Sequence, residues 1–155
     1  MKYVDVKGIK PQIFIMFKNK FENGEEFVSL KNGDESLGVY IKCPVPFKYV
    51  KLVWNAPILS DGDLISGDEF ERGYGKFCYS KPQADQNLFW YFFATDKVSS
   101  IAYGVKTGCS SIAIWQTDGN TIELKLDCRN GFLPVKLGDR MLHACDVICS
   151  SSIVA

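Results

Sequence analysis

Residues 111–127 read Ser111-Ile112-Ala113-Ile114-Trp115-Gln116-Thr117, then Asp118-Gly119-Asn120, then Thr121-Ile122-Glu123-Leu124-Lys125-Leu126-Asp127. In the last seven residues apolar and polar side chains alternate strictly, which is the period of a strand with one dry and one wet face. The Asp-Gly-Asn between the two runs supplies residues that tolerate the positive φ of a tight hairpin turn. A helix would repeat its apolar residues every three to four positions, and no window of a dozen or more residues in this chain does so. The hairpin therefore decides the class: all-β.

Working outward, the same signals recur. Toward the N-terminus, Val4 and Val6 open the chain, and Gln12 to Lys18, Phe27 to Leu30, Leu37 to Lys42 and Val50 to Trp54 read as strands. Asn23-Gly24 and Asn32-Gly33 mark turns, and Pro44 and Pro46 mark a break that no central strand tolerates. After the middle of the chain come Lys76 to Tyr79, Leu88 to Thr95 and Ile101 to Val105, with short elements near Val135 and from Met141 to Ile148 beyond the hairpin. Leu88 to Ala94 (LFWYFFA) is almost wholly apolar, as in a strand covered on both faces. About a dozen strands at this length cannot lie in one flat sheet, so a two-layer antiparallel β-sandwich, supersandwich-like, is expected over residues 1–155 as a single domain. The stretch from about 55 to 75 differs: Asp61-Gly62-Asp63, Ser66-Gly67-Asp68 and Gly73-Tyr74-Gly75 punctuate a polar, acidic, glycine-rich loop too long for a simple hairpin.

Composition bounds the partners. Lys+Arg and Asp+Glu are 18 each in 155 residues, so no overall positive charge favours a nucleic acid or an anionic membrane, and neither is expected as a partner. Hydrophobic residues at 46% fit a folded core, and the longest early apolar run, Ile13 to Phe17, is far short of the ~20 residues of a membrane span and lacks signal-peptide flanks. A cytoplasmic chain is expected. The six cysteines at 43, 78, 109, 128, 145 and 149 show no C-x-x-C spacing and read as reduced core residues. His143 is the only histidine, and nothing in the sequence sets a nucleophile or carboxylate beside it.

Candidate chemistry concentrates in the long loop and in the aromatic residues, which make up 14% of the chain. Trp54, Tyr74, Tyr79, Trp90, Tyr91 and Trp115 could stack on the C–H faces of a sugar or fill a sandwich core, and Tyr74, between two glycines, is the least core-like. Glu69 and Glu71 would share a strand face at about 7 Å, the spacing of a glycosidase acid pair, but Arg72 beside them equally describes a solvated ion-paired loop. Asp61-Gly62-Asp63 lacks the further ligands of a calcium loop, and no cofactor motif is present, so neither metal nor cofactor is expected.

Taken in order, Asp68-Glu69-Phe70-Glu71-Arg72-Gly73-Tyr74-Gly75, Trp90-Tyr91-Phe92-Phe93-Ala94-Thr95-Asp96, Tyr103-Gly104-Val105-Lys106-Thr107-Gly108, Asp127-Cys128-Arg129-Asn130-Gly131 and Val135-Lys136-Leu137-Gly138-Asp139-Arg140 resemble the N-terminal β-sandwich domain of α-galactosidase-like glycosidases of glycoside hydrolase family thirty-six. The resemblance runs from about Leu52 to Ile148. It implies a non-catalytic sandwich that packs on a (β/α)₈ barrel, in cis or in trans, with Asp68, Phe70, Arg72 and Tyr74 reaching toward a galactoside pocket. The family pattern usually has Trp where this chain has Phe70, which keeps the ring and loses the indole N–H. The barrel and its catalytic pair have no counterpart here, so no catalytic residue is assigned to this chain. A free-standing carbohydrate-binding module and an oligomerisation platform are the alternative readings.

Overall fold

The computed structural model describes residues 1–68, 79–106, 108 and 110–153. Among these described residues eleven strands form, in chain order: β1 (Gln12–Met16), β2 (Phe21–Asn23), β3 (Val28–Asn32), β4 (Leu37–Ile41), β5 (Tyr49–Asn55), β6 (Leu64–Asp68), β7 (Leu88–Thr95), β8 (Ser99–Val105), β9 (Ile112–Thr117), β10 (Thr121–Asp127) and β11 (Leu142–Ile153). Every pairing is antiparallel, so the all-β reading holds. The expected separation into two sheets does not. All eleven strands share one hydrogen-bonded sheet ordered β2-β1-β5-β10-β9-β7-β8-β11-β4-β3, with β6 paired to β7 off that path.

This sheet is strongly curled into a half-barrel. Ten flat strands in a row would hold their outer edges about 43 Å apart. Yet the two edges, β2 and β3, are joined by residues 24–27 alone, which span at most roughly 18 Å. The link is tied at both ends, because Gly24 N–H donates to Ile13 O at 2.9 Å and Lys42 N–H donates to Phe27 O at 2.8 Å. Phe27 also packs edge-on against Phe17 at 5.7 Å. A side chain at Gly24 would meet the Phe14 and Ile15 backbone at 3.0 and 3.1 Å, so any larger residue would require the β1 backbone to give by a few tenths of an ångström. Asn23-Gly24 is thus a crossing between the two sheet edges and not a simple hairpin turn.

The bend that unites the layers lies in β7. Its first residues pair with β9 (Leu88 with Trp115, Phe89 with Ile114), and from Tyr91 onward the strand pairs with β8. Trp90, between the two partners, has φ +71°, a left-handed backbone rare for a bulky residue. Its carbonyl, outside both ladders, accepts a bond from the Trp115 indole N–H at 3.1 Å. One strand thereby belongs to both layers, which is why hydrogen bonding continues around the corner.

The concave side is the core. Trp54, Trp115, Tyr103, Phe47 and Phe92 are fully buried, and Trp54 stacks on Trp115 at 6.3 Å. Residues 1–10, in which Val4 and Val6 suggested a strand, run instead as an arm across the open side of this core. Both valines are buried. The Tyr103 hydroxyl accepts from Val4 N–H at 3.1 Å and donates to Val4 O at 2.8 Å, and the Trp54 indole donates to Val6 O at 3.2 Å. Among the described residues no helix is long and apolar enough to cross a membrane.

Candidate functional site: the outer face beside the β6 stem

The stretch read as one long loop contains a strand. Leu64 to Asp68 pairs with β7, with a register shift between Gly67 and Asp68, and Asp68 lies opposite Phe89. On its other edge Ile65 exchanges two 2.8 Å backbone bonds with Ser80. Strand β6 and Ser80 therefore form the stem from which the intervening segment leaves. Of the sequence-predicted sugar contacts, Asp68 closes the stem, while Phe70, Arg72 and Tyr74 lie outside the described residues, as do Glu69 and Glu71.

What adjoins the stem is an apolar groove on the convex side of the sheet. Two rows of side chains cross three strands there: Tyr91 opposite Gly104 opposite Ile148, and Phe93 opposite Ala102 opposite Ser150. The middle strand has only small residues in these rows, so the flanking side chains wall a groove of about 230 Å³. Tyr91 and Phe93 contact each other edge to face at 5.2 Å, and Phe93 is 40% exposed. Ser66 of β6 pairs with Phe93, which places the stem directly beside the aromatic wall. The sequence suggested cover on both faces of β7. Leu88, Phe92 and Ala94 are buried on the concave side, whereas on the outward side Tyr91 is half-buried and Phe93 is exposed. Among the described residues lining the groove there is no carboxylate or cation, so it offers stacking and apolar contact, not acid–base chemistry.

The remaining aromatic candidates divide. Trp54 and Trp115 are core, Trp90 is a half-buried corner residue, and Tyr79 is exposed beside the stem.

Three polar clusters elsewhere have structural explanations. Asp63 is buried, accepts Ser60 N–H at 2.8 Å and pairs with the Met1 ammonium at 3.3 Å. Asp118 caps the β9–β10 turn by accepting the Asn120 and Thr121 N–H groups, and these backbone bonds hold its carboxyl below its ordinary value. Both acids are turn residues, and no cluster among the described residues could hold a metal ion. Cys149 sits by the N-terminal arm, 3.1 Å from the Tyr3 hydroxyl and 3.8 Å from an Asp5 oxygen. Burial, followed by the hydrogen bond to Cys149, raises the Tyr3 phenol. Those partners are some 145 positions apart, beyond any local sequence signal.

The fold brings a carboxylate to His143. Its Nε2 lies 2.9 Å from Asp146 Oδ1, and its ring stacks on Tyr40 at 4.4 Å. In a regular strand residues three apart face opposite ways. A bulge between His143 and Cys145 inserts one residue and turns both to the same side. The carboxylate unseen in the sequence is thus delivered by an irregularity of β11.

No family model, curated protein or solved structure matches this chain.

Proposed function

We propose that this chain is the non-catalytic N-terminal module of an α-galactosidase-like glycosidase, packing on a catalytic barrel and presenting the segment from Asp68 to Tyr74 at the rim of its sugar pocket. The observation that carries the proposal is the open aromatic groove of Tyr91 and Phe93 beside the β6 stem. A strand whose composition suits burial on both faces leaves Phe93 exposed and Tyr91 half-buried on its outward face, and apolar surface of this kind marks a place where another protein surface rests. The ordered motifs from Asp68 to Arg140 support the identity of that partner. Cys43, Cys128 and Cys149 carry free thiols, in keeping with a reducing cytoplasm.

The test is reconstitution in trans with the barrel of a family thirty-six α-galactosidase stripped of its own N-terminal module. Co-elution and a gain in hydrolysis of aryl α-galactosides are expected, with no turnover by this chain alone. The double variant Tyr91→Ser and Phe93→Ser should weaken association by ~10-fold or more, from lost aromatic burial. Absence of association, together with calorimetric heat on galactose, raffinose or melibiose that vanishes in Tyr74→Ala, would instead establish a free carbohydrate-binding module. Self-association lost in the same double variant, without barrel binding, would establish an oligomerisation platform.

A further inference from the structure

Three loops are tied together at one end of the sheet: residues 17–20, 42–48 and 128–141. Lys48 Nζ donates to Lys18 O at 3.0 Å, Cys128 N–H donates to Lys48 O at 2.9 Å, and Phe47 and Val135 exchange backbone bonds of 2.8 and 3.2 Å. The fold gathers charge there. Lys18 and Lys20 come from the first loop, Lys42 and Lys48 from the second, and Arg129, Lys136 and Arg140 from the third, whereas Asp139 is the one acid in these segments. Glu22, Glu25 and Glu26 flank them on β2 and the β2–β3 link, and Asp127 is neutralised by Arg129 at 2.9 Å.

The same loops hold four of the large apolar side chains left in solvent: Val45 at 50%, Phe132 at 89%, Leu133 at 70% and Met141 at 57% exposure. Phe132 and Leu133 stand at the tip of a rigid turn. Asn130 and Leu133 exchange both backbone bonds, at 3.0 and 3.2 Å, and Gly131 takes φ +67° as the first central residue. The Arg129 guanidinium lies 4.9 Å from the Tyr49 ring centre and 5.9 Å from that of Phe132, so the Arg129–Asp127 ion pair holds the turn directly behind the apolar tip.

We propose that this end of the molecule docks peripherally on an anionic lipid surface, with Phe132 and Leu133 entering the headgroup–acyl boundary and the lysines and arginines around them meeting lipid phosphates and carboxylates. Cations alone would equally suit a nucleic acid. Leucine, methionine and valine at the tips gain nothing from a phosphate backbone, but they gain by leaving water for a lipid interface. This inference is independent of the glycosidase reading, which uses a different surface.

The test is sedimentation of the full chain with vesicles of phosphatidylcholine alone and of phosphatidylcholine mixed with phosphatidylserine. Binding to the mixed vesicles only is expected, weakening sharply at ~1 M salt, where the Debye length is about 3 Å. Phe132→Ser with Leu133→Ser should lower partitioning by ~10-fold or more. Lys20→Glu, Lys42→Glu and Lys136→Glu together should lower it by more than ~100-fold. All five positions are exposed, and an unchanged near-ultraviolet dichroism spectrum confirms that each variant is folded. Failure of the folded wild type to sediment with the mixed vesicles overturns the proposal. So does sedimentation that the Phe132/Leu133 variant leaves unchanged, or retention by a single-stranded oligonucleotide without vesicle binding.

Discussion

Tyr103 shows how one side chain couples the arm to the sheet. It is 1% exposed, and its hydroxyl satisfies both backbone groups of Val4. Burial pushes its phenol from the ordinary 10 up to about 12. Ionisation is thus disfavoured in the folded state, so the stabilisation is fully present below about pH 10 and is lost as pH rises toward 12, a swing of roughly 2–3 kcal/mol at most. Tyr103→Phe should cost ~1–3 kcal/mol at neutral pH by leaving Val4 N–H and C=O unpaired. In urea titrations the gap between wild type and variant should then narrow from pH 10 to 12, and a gap constant across that range would exclude the coupling. None of this was legible locally, since Val4 and Tyr103 are 99 positions apart. His143 teaches a related lesson: strand periodicity set Asp146 on the opposite face, and one inserted residue reversed it.

Among the elements, the strands around the 111–127 hairpin were legible because each carries its own period and its own turn. Strand β6 was not. Its five residues include Ser66, Gly67 and Asp68, which by composition belong to a loop, and its partner β7 begins 20 residues after it ends. Pairing across that distance overrides local propensity. The glycine hidden there is structural. A Cβ on Gly67 would lie 2.7 Å from Leu88 Cδ2 and 3.1 Å from Tyr91 O, at the corner where β7 changes partners. Gly67→Ala should therefore destabilise by ~1–3 kcal/mol, through overpacking against a backbone that cannot retreat. Since ~1 kcal/mol lowers the midpoint by about 2–4 °C in a domain of this size, a thermal melt reads it directly. A midpoint equal to that of the wild type would mean that the corner relaxes freely.

At the scale of the whole molecule, the sheet order joins strands distant in sequence: β5 beside β10, β11 beside both β4 and β8. Such non-local closure must be reached before its contacts stabilise anything, so refolding should take ~milliseconds to seconds. Stopped-flow fluorescence of Trp54 and Trp115 measures it, and full recovery within about 100 μs would contradict this ordering of events. The same topology places charge in ways that equal numbers of cations and acids do not describe. Counting charges cannot show that three loops, separated by more than 20 and by 80 residues, meet at one end with one acid among seven cations. Alternation, turn dipeptides and apolar runs are local properties, and they determined by themselves that this chain would be antiparallel β with its strands close to where they stand. The continuous curl, the arm over the core, the open groove beside the β6 stem and the basic apolar end arose only in the tertiary structure. Each depends on which distant segments pair, and long-range pairing is chosen by the packing of the whole sheet around one core.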